Sequence, residues 1–160
     1  MIPPPEGARD GFVVANGIRM YYVEQGQGPL VLLCHGFPEF WYSWRHQIGP
    51  LADAGFHVAA VDLPGYGRSD KPDRSYDVKW LTACLSEAIQ GLGHERAVLA
   101  GHDWGGLLVW PFRAHASTPD GRSDRTQYAR PSADPDPHHG VPAADGLQQH
   151  ALHPGVPGAG

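Results

Sequence analysis

The stretch that decides the fold runs Ala97-Val98-Leu99-Ala100-Gly101-His102-Asp103-Trp104-Gly105-Gly106. Its first four residues are a short apolar run ending at glycine, which predicts a buried strand. G-x-D-x-G-G then has the spacing of a nucleophile elbow, G-x-S-x-G, with Asp103 at the apex where that motif carries serine. Gly101 and Gly105, followed by Gly106, relieve crowding where a strand turns sharply into a helix. The apex residue is held in a strained backbone conformation that projects its side chain out of the sheet. A carboxylate there is already ionised at neutral pH, so it attacks without a base. It suits displacement at a saturated carbon better than amide hydrolysis. The same letters also fit a plainer reading, an aspartate capping the next helix after a tight glycine turn.

Working outward, Leu30–Cys34 (L-V-L-L-C) is a continuous apolar run, as a strand buried on both faces requires. His57–Val61 is a second such run and Ala97–Ala100 a third. Phe12–Ala15 and Ile18–Val23 flank Asn16-Gly17, the strongest short hairpin signal. Trp41–Ala54 carries Trp44, Ile48 and Leu51 at helical spacing. Asp77–Leu92 carries Leu81, Leu85, Ala88, Ile89 and Leu92 likewise, with Asp77 as N-cap. A hairpin followed by strand–helix–strand–helix–strand predicts an α/β sheet, antiparallel at first and then parallel.

In an open parallel sheet, ligands bind outside the carboxyl ends of the strands. Three loops rich in glycine, proline and ionisable residues meet there: His35–Glu39, Asp62–Asp70 and Gly101–Gly106. His35-Gly36-Phe37-Pro38, directly after a buried strand, matches the second oxyanion-hole element that accompanies a nucleophile elbow. Two motifs in the right order displace the plain helix-cap reading of Asp103. The backbone N–H groups of Phe37 and Trp104 are the expected donors to one oxygen. His35, Gly36 and Pro38 are the candidate binding residues, and Gly101, Gly105 and Gly106 the structural glycines of the elbow.

H-G-F-P-E-F-W-Y-S-W at His35–Trp44, D-L-P-G-Y-G-R-S-D-K-P at Asp62–Pro72 and G-H-D-W-G-G at Gly101–Gly106 resemble an α/β-hydrolase, specifically an epoxide hydrolase. The resemblance covers the first 110 residues. It implies that Asp103 attacks an epoxide carbon and forms a hydroxyalkyl ester. A histidine oriented by an acidic residue then activates water to hydrolyse that ester, while two tyrosines of a helical cap protonate the opening oxygen. A haloalkane dehalogenase uses the same aspartate chemistry, and Trp104 suits halide binding through its indole N–H. That family commonly has Asn where this chain has Phe37. An ordinary esterase calls for serine at the position of Asp103.

The base histidine, its acid partner and the cap tyrosines have no match in this sequence. The last 50 residues are a different text. They hold 8 of the 16 prolines and 5 of the 10 histidines, with no Lys, Glu, Ile, Met, Asn, Cys or Trp. No period of 2 or 3.6 runs through Phe112, Tyr128, Val141, Leu147, Leu152 and Val156. His138-His139 reads as polar coil rather than as a metal site, and Pro111 is expected to end or kink the helix after Asp103. The expected division is a truncated α/β-hydrolase core over 1–113 and a disordered tail over 114–160, read out of frame. Codons for 114–129 can be chosen so that reading one base later gives H-T-H-P-R-P-T-G-G-R-I-A-L-N-T-P. The same shift over 150–160 permits M-R-Y-I-Q-V-F-Q-E-P. Both strings resemble the family's continuation. The alternative to a crippled enzyme is a non-enzymatic fragment.

Composition agrees with that reading. Glycine (21) and proline (16) approach a quarter of the 160 residues, about twice the usual share. A net charge of −5 argues against a nucleic-acid partner, which wants a basic face. No apolar run approaches a membrane span, and Met1–Asp10, with three prolines, does not read as a secretory signal. Cys34 and Cys84 form no C-x-x-C pair and read as small buried residues of a reducing cytoplasm. No cofactor is called for, and the expected partner is a small-molecule epoxide or a related electrophile.

Overall fold

The computed structural model describes residues 2–115, without the side chains of 111–115. The strands are β1 (Arg9–Ala15), β2 (Ile18–Gln25), β3 (Leu30–Cys34), β4 (His57–Val61) and β5 (Ala97–Gly101). A 3-10 turn at Trp41–Trp44 leads into α1 (Arg45–Asp53), and α2 (Val78–Gly91) and α3 (Trp104–His115) follow. The strands form one sheet in the order β1-β2-β4-β3-β5. β1 and β2 pair antiparallel, as do β2 and β4, whereas β3 is parallel to both β4 and β5. The expected change from antiparallel to parallel therefore falls at β4.

The apolar runs are strands because the sheet buries both of their faces. Leu30, Leu32 and Cys34 of β3, with Ala59 and Val61 of β4, pack beneath Cys84, Leu85, Ala88 and Leu108 of α2 and α3. Val31 and Leu33, with Val58 and Ala60, pack on the other face against Trp41 and Ile48. All five residues of β3 are buried. β5 pairs only with β3 among the described residues, and Val98 and Ala100 are half-buried.

Three expectations need correction. β1 begins at Arg9, ahead of Phe12, because the hairpin ladder carries on to the pair Arg9–Glu24, beyond its apolar part. The helix expected over Trp41–Ala54 is two elements, a tight aromatic turn and then α1. The third concerns Pro111: α3 runs through it to His115, since proline removes one backbone donor without unmaking the turns on either side. Asp77 caps α2 as expected, its carboxylate accepting the Trp80 N–H at 2.9 Å. All but the first two residues of the expected tail lie outside the described residues. No helix among the described residues is long and apolar enough to cross a membrane.

Candidate active site

β5 and α3 meet at Asp103, whose φ of 53° is left-handed. A non-glycine residue there is strained by roughly 1–3 kcal/mol, and such strain is tolerated where the surroundings over-determine it. Here they do. A Cβ on Gly105 would run into the Cys34 carbonyl oxygen and lie 2.6 Å from that of His35. A Cβ on Gly101 would stand 2.5 Å from the carbonyl carbon of Gly105. The helix start thus rests directly on the ends of β3 and β5. Gly106 is different, since a Cβ there meets only Gly101 O at 3.4 Å, an ordinary contact.

The carboxylate faces the loop after β3. The Phe37 N–H donates to Asp103 Oδ1 at 2.8 Å, and the Trp104 N–H also bonds the carboxylate. These bonds, the Phe37 one foremost, favour the charged form and hold the acid below the ordinary value of 3.8. Gly36 lets the two loops approach this closely, because its Cβ would lie 2.7 Å from that of Asp103. The structure therefore brings Phe37, Trp104, Gly36 and Asp103 together. The Phe37–Pro38 peptide bond of this loop is cis.

His35 sits beneath the loop, wholly buried. Its Nε2 accepts the Leu63 N–H at 3.0 Å, so the ring proton is on Nδ1 and is donated to Gly36 O at 2.8 Å. Burial lowers its pKa from the ordinary 6.5 and keeps the ring neutral at pH 7. With both nitrogens engaged, His35, expected among the binding residues, braces two loops.

Several positioning residues stand inside the quoted motifs, although the sequence alone assigned them no role. Asp62, buried after β4, accepts the Trp41 N–H through Oδ1 and the Arg68 N–H through Oδ2, each at 2.8 Å. Ser69 Oγ donates to Asp62 O at 2.6 Å and accepts the Tyr21 N–H at 2.8 Å. His102 Nε2 lies 2.9 Å from Glu39 Oε2, joining the elbow to the loop after β3. Tyr66 packs edge-on against His35 and Phe37. A cavity of about 510 Å³ lies between the loops after β3 and β4 and the start of α3, lined mostly by apolar groups that include Gly36, Leu63, Tyr66, Tyr76, Trp104 and Leu108. Among the described residues no group of three or more His, Cys, Asp or Glu could hold a metal.

A carboxylate at the apex of a strand–helix elbow, facing the loop after the neighbouring strand, is the arrangement of one hydrolase fold. Residues 29–120 match the model of the alpha/beta hydrolase fold family, and the chain belongs to that family. Its relatives are more particular. It is 47% identical over 116 residues to bifunctional epoxide hydrolase 2 of Sus scrofa, covering 68% of this chain and 21% of that protein. It is 53% identical over 102 residues to epoxide hydrolase A of Mycobacterium tuberculosis, covering 61% and 32%. Among solved structures, an epoxide hydrolase from Vigna radiata superposes with a TM-score of 0.68 at 39% identity, over 72% of this chain and 37% of that one. The chain thus spans between a fifth and a third of the length of these two curated relatives.

Proposed function

We propose that Asp103 opens an epoxide ring by direct attack, as the names of the relatives suggest. Phe37 N–H holds Oδ1, so attack falls to Oδ2. A bond forms from Oδ2 to a ring carbon while the bond from that carbon to the ring oxygen breaks. The ring oxygen leaves as an alkoxide and takes a proton from solvent water, releasing hydroxide and giving a hydroxyalkyl ester. Oδ1 is then the ester carbonyl oxygen. Water, deprotonated by a base, adds to that carbonyl, and the Phe37 and Trp104 N–H groups stabilise the oxyanion. Collapse releases a vicinal diol and regenerates the carboxylate. The reading is carried by one observation, the ionised Asp103 at φ 53° with Oδ1 already 2.8 Å from a backbone donor.

The described residues supply the attack and not the hydrolysis. Of the two histidines nearest Asp103, His35 is buried with both nitrogens used, and His102, although held by Glu39, immediately precedes the nucleophile and does not match the place of the family's base. We attribute the lack of a matching base, acid and cap tyrosines to one shifted base near codon 113, with 1–113 as hydrolase core and 114–160 out of frame. Incubation with styrene oxide is expected to give a stable mass adduct on Asp103 without turnover. An absent adduct would sink the reading. Repeated diol formation that is lost in Asp103→Ala would show a working base and sink the half-reaction. The gene sequence tests the shifted frame directly.

A further inference from the structure

At the amino ends of the parallel strands, opposite Asp103, four charged or titratable side chains form one hydrogen-bonded chain. Arg9 Nε of β1 donates to Glu24 Oε1 of β2 at 2.7 Å. His57 Nε2, at the start of β4, lies 2.6 Å from Glu24 Oε2. His57 Nδ1 lies 2.8 Å from His94 Nε2. His94 follows the turn that closes α2, in which Leu92 and Gly93 donate to Ala88 O and Gln90 O and the His94 N–H itself donates to Ile89 O. Three residues later β5 begins. Glu24 and His57 are nearly buried, at 8% and 12% side-chain exposure.

We propose that the Glu24–His57–His94 chain is an acid-sensitive latch fastening the turn between α2 and β5 to the sheet. With Glu24 ionised, His57 carries its proton on Nε2 and donates it to the carboxylate. Its Nδ1 then accepts the His94 Nε2–H, so two neutral rings satisfy every bond. One added proton is also accommodated: a charged His57 donates Nδ1–H to the lone pair of a neutral His94. A second proton is not. It sets N–H against N–H at 2.8 Å and places two cations side by side, and the bond to His94 breaks.

The neighbours fix the direction. Burial alone would raise the Glu24 pKa, but Arg9 and His57 outweigh it and leave it below the ordinary 4.5, so the carboxylate persists while His94 titrates. Tyr22 of β2 also faces this chain, raised by burial and by Glu24. Glu95 and Arg96 follow His94 in the turn. The His94 pKa is lowered from 6.5, first by burial and then by the charge of His57, with Glu24 opposing. A histidine lowered on folding contributes stability that is full above its ordinary value and is lost as pH falls toward its folded one. The latch is closed at neutral pH and opens in acid.

Amide hydrogen exchange of the full chain at residues 93–98, corrected for intrinsic rates, tests this. Protection there is expected to fall from about pH 7.5 to pH 5, by about tenfold for each unit by which His94 lies below an ordinary histidine. Val31–Leu33 of the central strand is expected to keep its protection over that range. His94→Gln keeps a donor to His57 but does not titrate, and is expected to show pH-independent protection. His94→Lys places a permanent cation there and is expected to show the acid behaviour at neutral pH. Unchanged wild-type protection over this range, or an unaltered pH response in His94→Gln, would overturn the latch. Should a variant fail to fold, the wild-type imidazole resonances decide. Loss of protection must follow the second protonation of the pair, and full titration without it is fatal to the idea.

Discussion

At Asp103 a single residue combines strain, charge and direction. The left-handed φ aims the carboxylate at the loop after β3, and two backbone donors keep it ionised. Asp103→Asn retains an acceptor for the Phe37 N–H at almost equal volume, so its circular dichroism is expected to match wild type while the styrene oxide adduct disappears. A neutral amide oxygen is too weak a nucleophile for ring opening. The pH dependence follows from the sign of the shift. Attack needs the carboxylate, and its pKa lies below 3.8, so the alkylation rate is expected to stay level around neutral pH and to fall to half only below 3.8. A rate that halves near pH 6 would assign the attack to a histidine instead. Asp103 and Phe37 were legible in the sequence because each sits in a short motif of fixed spacing. The bracing roles of Asp62, Ser69 and Glu39 were not, although all three stand in the quoted motifs, because Trp41, Tyr21 and His102, which they hold, are distant in the chain and mostly offer only backbone N–H groups.

Among the elements, the elbow depends on two of its three glycines. Gly105→Ala is expected to unseat α3 from β3, because the new methyl group meets the Cys34 carbonyl, and to lose both secondary structure and adduct. Gly106→Ala is expected to keep both, and a slight gain in stability is reasonable inside a helix. Equal behaviour of the two variants would contradict the elbow geometry. Asp77→Ala removes the α2 N-cap and is expected to cost about 1 kcal/mol in denaturant unfolding. The strands could be read from their apolar runs because β3 and β4 are packed on both sides. The first residues of β1 could not, since Arg9, Asp10 and Gly11 join the hairpin through backbone pairing without apolar alternation. The break between the turn at Trp41–Trp44 and α1 was equally hidden, because aromatic and aliphatic spacing runs on through it.

At the scale of the whole molecule, one apolar patch among the described residues lies along α3. Trp104, Leu107 and Trp110 recur every three residues along α3 and are 55%, 64% and 74% exposed, with Phe37 at 60% across the site. Among the described residues β5 offers an unpaired edge beside them. Patches of this kind, next to an open strand without charge or proline, promote association. The 160-residue chain is therefore expected to associate in light scattering as its concentration rises, and Leu107→Glu with Trp110→Lys is expected to reduce this. A wild-type chain that stays monomeric at high concentration would show that the patch is covered. The buried cysteines have a different consequence. Cys34 lies wholly inside the sheet, where burial pushes its thiol up to about 12, and the Cys84 thiol is raised as well. At neutral pH neither yields an appreciable amount of thiolate, the soft nucleophile that electrophiles ordinarily find first in a protein. A strained electrophile added to this chain is therefore steered away from sulfur and toward oxygen, and its selectivity reports on burial as much as on reactivity.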